Sequence, residues 1–77
     1  MAVYRVYAYT SCGHHRIGAV QITARNPWDA CEKGREQLKQ QGITAELARV
    51  IPVEADGRMN PFRLYCVGSG AARDMRA

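Results

Sequence analysis

A chain of 77 residues holds one hydrophobic core and no second domain, and at this size it buries only about 60% of the surface its unfolded form exposes. With 47% apolar and 23% charged residues it has the composition of an ordinary globular domain, which argues against disorder. No stretch reaches the roughly 20 apolar residues of a membrane span and no secretory pattern opens the chain, so a cytoplasmic protein is expected, with no membrane partner.

The run from Val3 to Thr10, VYRVYAYT, is rich in β-branched and aromatic residues that suit a pleated surface. It predicts a first strand with Tyr4, Val6 and Ala8 on one face and Arg5, Tyr7 and Tyr9 on the other. Ser11 to Arg16 carries turn-forming residues, and the alternating run Ile17 to Ala24 predicts a second strand paired antiparallel to the first. Val20, Ile22 and Ala24 share one face; Ala19, Gln21, Thr23 and Arg25 share the opposite one.

Asn26 is an N-cap residue followed by Pro27 at the first helical position and Asp29 near the positive end of the helix dipole. A helix is predicted from Pro27 to about Gln41, stopped by Gly42. Its apolar stripe, Ala30 or Cys31, Gly34 and Leu38 with Gln41 at its end, is narrow and small. Gly34 in mid-helix costs about 1 kcal/mol of propensity relative to Ala, which implies a close approach of helix to sheet.

Glu46 to Val53 predicts a third strand with Pro52 near its end or on an edge. Asp56-Gly57 is a turn signal. Pro61 to Val67 predicts a fourth strand whose start Asn60-Pro61 disturbs. Residues 68–77 are small, polar and basic, and are expected to be a flexible C-terminal tail to a single domain spanning 1–67. The predicted fold is α+β: a four-stranded antiparallel sheet, ββαββ, in the order 2-1-3-4, with one helix packed on one face.

Cys12 and His14 in the first turn are of the types that zinc prefers, but structural zinc needs four ligands and the adjacent His15 points away from His14. These two are weak metal candidates, and an exposed hairpin loop without metal or other cofactor is the expectation. The three cysteines, Cys12, Cys31 and Cys66, have no paired spacing, so reduced thiols are expected. An activated thiolate at Cys12 would need an oxyanion site and a cleft, for which a one-helix domain has little room. No enzyme is expected. Gly68-Ser69-Gly70 is a lone G-x-G without a following helix, and a chain exit explains it. Trp28, beside the helix stripe, is expected to cap the core edge.

One helix covers one side of a sheet, which leaves Arg5, Tyr7, Tyr9, Gln21, Thr23 and Arg25 on the other, with Arg63 and Tyr65 or their neighbours as further candidates. Tyr and Arg dominate binding energy at interfaces, and the net charge of +4, from nine Arg and two Lys against seven acidic residues, favours a polyanionic partner. Those six residues are the predicted partner-binding set of a small non-catalytic protein-binding module. RNA or single-stranded DNA binding through the same face is the alternative, and a homodimer burying two open faces is a further one.

A hairpin, the spacing A-x-N-x-x-x-A at Ala24, Asn26 and Ala30, one amphipathic helix and a closing hairpin together form a layout that resembles compact proteins carried by phages and other mobile elements. Some of these, including anti-CRISPR inhibitors, occupy the surface of a host enzyme. The resemblance implies a stoichiometric inhibitor of a host protein.

Overall fold

In a computed structural model the described residues are 1–10, 15–68 and 75–76, those from 67 onward by their backbone alone. Strand β1 (Ala2–Tyr9) is an inner strand of the sheet, and its alternation of apolar and amphipathic side chains lets it serve two faces. Strand β2 (Arg16–Ala24) pairs with it antiparallel, from Ala2 opposite Ala24 to Ala8 opposite Gly18. Tyr9 then faces Arg16, so Ile17 is the extra residue of a bulge that brings Arg16 onto the same side as Tyr9.

Helix α1 (Pro27–Gln40) starts where Asn26 accepts from the Asp29 N–H at 2.8 Å and Asp29 in turn accepts from the Arg25 N–H at 3.3 Å, a reciprocal cap one residue wider than the usual box. It ends in a Schellman motif: the Ile43 N–H bonds the Leu38 carbonyl, the Gly42 N–H bonds the Lys39 carbonyl, and Gly42 takes φ +84°. The chain then crosses to β3 (Leu47–Val53) on the far side of β1, pairing antiparallel from Val3 opposite Val53 to Tyr9 opposite Leu47. Strand β4 (Tyr65–Gly68) lies beyond β3, and two residues, Met75–Arg76, form a short strand β5 beyond β4.

The sheet order is therefore 2-1-3-4 with β5 added at the β4 edge, all antiparallel, and α1 covers one face. The fold is the predicted α+β arrangement. Strands β1, β2 and β3 differ from the expected spans by one residue at their ends, and two larger differences stand at the C-terminal side. Pro61–Arg63 is a turn of 3-10 helix (η1), because Asn60 caps it by accepting the Phe62 N–H at 3.0 Å and Pro61 has no N–H for a ladder. Gly68 belongs to β4, and of the expected tail Met75 and Arg76 pair with Cys66 and Tyr65; residues 69–74 and 77 lie outside the described residues.

The core joins Tyr4, Val6, Ala8, Val20, Ile22, Ala24, Ala48 and Val50 of the sheet to Ala30, Cys31 and Leu38 of α1. So many alanines permit the close approach that Gly34 implied: a Cβ there would lie 2.8 Å from Val6 Cβ. Gln41, expected at the end of the stripe, is exposed, since the helix has already reached its cap. Trp28 meets Tyr65 at 6.2 Å between ring centroids and closes the core edge. Among the described residues no helix is long and apolar enough to cross a membrane.

Candidate functional site: the open face of the sheet

The ladder register decides which side chains share the uncovered face. Val3, Arg5, Tyr7 and Tyr9 alternate with the core residues of β1, and their cross-strand partners are Thr23, Gln21, Ala19 and Arg16 on β2 and Val53, Ile51, Arg49 and Leu47 on β3. Cys66 of β4 lies opposite Arg49 and continues the third row. Every described member of this face is apolar, polar or basic. None of the described strand positions is acidic; the described carboxylates sit on α1 or in the connections.

Two arginines cover the two tyrosine rings. The Arg16 guanidinium carbon stands 5.2 Å from the Tyr7 ring centroid, and that of Arg49 stands 4.9 Å from the Tyr9 centroid. Each pairing is diagonal across the ladder, which the reach of an arginine stem permits. Arg5 lies in the next row. The Nε atoms of Arg5 and Arg49 are buried with no hydrogen-bond partner among the described residues.

The β3–β4 connection folds back over the same face. Glu54 and Gly57 form a turn in which the Glu54 N–H reaches the Arg58 carbonyl at 2.6 Å and Gly57 takes φ +88°. Met59 then bridges to Val53, and its sulfur accepts the Tyr7 hydroxyl at 3.0 Å. Asn60 holds the rest in place: its side-chain amide donates to Glu54 Oε1 at 2.8 Å and its N–H to the Pro52 carbonyl at 2.9 Å. On this fixed turn Phe62 is 95% exposed. Its ring offers apolar area that a partner surface can bury.

Of the predicted set, Arg5, Tyr7, Tyr9, Gln21 and Thr23 share the open face. Tyr7 is only 9% exposed, however, because Met59 and Arg16 lie over it. Arg25 stands past the end of β2 and faces Asp29 at 4.0 Å, beside Lys33 at 3.3 Å from the same carboxylate. Tyr65 falls on the helix side opposite Val50, where it packs on the core, and Cys66 takes the place on the open face. Arg16, Arg49, Met59 and Phe62 were not singled out from the sequence. The alternation of β3 carried a signal for Arg49, but its phase relative to β1 required the register.

Cys12 and His14, the weak metal candidates, lie outside the described residues; His15 is exposed. Among the described residues no three His, Cys, Asp or Glu side chains come together as a metal site. Cys31 is buried against α1's neighbours, and that burial raises its thiol pKa. A shallow depression on the outer side of α1 is lined by Glu32, Lys33, Glu36, Gln37 and Gln40, all from one helix, and brings no nucleophile to a base.

No protein family, curated protein or solved structure matches the chain.

Proposed function

We propose that this protein is a non-catalytic binding module that holds an acidic surface of another protein against its open sheet face. The observation that carries the reading is the sorting of charge: Arg5, Arg16 and Arg49 share a face whose described strand positions carry no acidic residue, while Glu54 and Asp56 stand on the turn at its edge. A guanidinium already seated on an aromatic ring is preorganised, so it loses less side-chain entropy when a carboxylate arrives. Charge-assisted hydrogen bonds from a guanidinium to an incoming carboxylate are worth about 1.5–3 kcal/mol each. Phe62, exposed on its fixed turn, supports a protein partner with an apolar recess.

RNA or single-stranded DNA is the second reading, and the same arginines favour it. Base stacking needs free ring faces, whereas Tyr7 is covered and Tyr9 carries Arg49. Nucleic acid is left with phosphate contacts. The finer role, a stoichiometric inhibitor of a host protein encoded by a phage or other mobile element in the manner of anti-CRISPR proteins, rests on the resemblance of layout alone.

The test is capture from nuclease-treated host lysate by immobilised wild-type protein and by an Arg5→Glu/Arg49→Glu variant, with a gel-shift salt series on single-stranded RNA beside it. Retention of one protein by the wild type and its loss with the variant supports the reading. A gel shift whose affinity falls steeply with log salt, without any retained protein, replaces it by the nucleic-acid one.

A further inference from the structure

The two edges of the sheet are unlike. On the β4 side the chain covers itself: Tyr65 and Cys66 pair with Arg76 and Met75 of β5, and the outer end of β3 is closed by the Val53–Met59 bridge and by the Asn60 N–H on the Pro52 carbonyl. On the β2 side no described strand lies outside. β2 is nine residues long, and from Ile17 to Ala24 it contains no charge and no proline. Edge strands ordinarily carry lysine, proline or a mid-strand bulge that discourages pairing. The only bulge of β2 sits at its first end, beside Ile17.

Outward-facing N–H and C=O groups alternate along such a strand and can be satisfied by another antiparallel strand. The sequence of β2 suits itself as that strand. Pairing about a two-fold axis at Val20 sets Gly18 of one copy opposite Ile22 of the other, and Ala19 opposite Gln21. Small thus meets large on both faces, and no like charges meet between Ile17 and Thr23. An isologous contact of this kind closes after two copies. A core with five alanines leaves a 77-residue chain with modest burial of its own, so added pairing has something to contribute.

We propose that β2 pairs edge to edge with β2 of a second copy, antiparallel about Val20, joining two sheets into one. The open face stays free in this arrangement, so the pairing stands independently of the function proposed above.

Sedimentation equilibrium over a wide concentration range, together with amide hydrogen exchange read by NMR, tests it. The expected mass at high concentration is twice the 8.6 kDa of the chain, with every amide from Ile17 to Thr23 protected. An Ala19→Lys/Thr23→Lys variant, which puts lysines on both strands of the joint, should sediment as a monomer with an unchanged circular dichroism spectrum. In that monomer alternate β2 amides should exchange fast. A mass of one chain at every wild-type concentration overturns the proposal. So does a dimer whose alternate β2 amides exchange as fast as those of the variant, since that dimer is stacked by its faces.

Discussion

The Tyr7 hydroxyl donates to the Met59 sulfur over 3.0 Å, tying β1 to a turn 52 residues further along the chain. That contact turns a side chain of the open face into a buried one and fixes the turn that displays Phe62. Tyr7→Ala should therefore cost about 3 kcal/mol of stability, read as a lower urea midpoint. Tyr7→Phe, which keeps the ring under Arg16, should cost less than about 1 kcal/mol. Equal midpoints for the two variants would mean that Tyr7 is not packed as described.

Gly34 and Gly18 offer a comparison of two close approaches. A methyl at Gly34 meets Val6 at its Cβ, 2.8 Å away, and Cβ cannot rotate aside; a methyl at Gly18 meets the far ends of Ile43 and Leu38 at 2.9 and 3.0 Å. Gly34→Ala gains about 1 kcal/mol of helix propensity and should still lose net stability through overpacking of about 1–3 kcal/mol. Gly18→Ala should be milder. Adding Val6→Ala to Gly34→Ala should rescue only part of the loss, because the alanine retains the offending Cβ. Thermal unfolding of the three variants checks the order.

Asp29 accepts the Arg25 N–H, and with Lys33 beside it this holds its carboxyl below the usual value of 3.8, against a smaller opposing effect of desolvation. A carboxylate with a lowered folded pKa stabilises fully above its unfolded pKa, and the contribution is lost as pH falls through the folded value. The acid limb of the melting temperature against pH, below 3.8, should be shallower in Asp29→Asn than in wild type. Asn26→Ala, which removes the cap itself, should cost about 1 kcal/mol at every pH.

Phe62→Ala should leave stability within about 0.5 kcal/mol, since the ring is solvated, while weakening partner binding by about 2 kcal/mol or more. Calorimetric titration of the captured partner reads the second effect and a thermal melt the first. A loss of stability without a loss of affinity would remove Phe62 from the interface.

Cys31 is 1% exposed with its thiol pKa raised chiefly by burial, whereas Cys66 is half-buried on the open face. Peptide mapping after brief alkylation of the native protein should find Cys66 modified well before Cys31. The reverse order would place Cys66 under cover.

The elements that signal locally were legible in the sequence. Alternation gave β1 and β2, and Asn26, Pro27 and Gly42 bracketed α1, because caps and turns depend on residues within four positions of one another. Gly34 foretold the close helix through its missing side chain. The strand order followed from connection lengths and crossover rules. Only the tertiary structure decided which arginine meets which ring and which side of the sheet Tyr65 joins. A bulge at Ile17 reverses the side on which Arg16 emerges, and the phase of β3 against β1 is set by packing across the whole sheet. The turn that covers Tyr7 and exposes Phe62 is fixed by Asn60 reaching both Glu54 and Pro52, contacts between residues that form only once β3 is in place. A sequence states which side chains can alternate; long-range register, set by the burial of one whole face, decides which of them share the other.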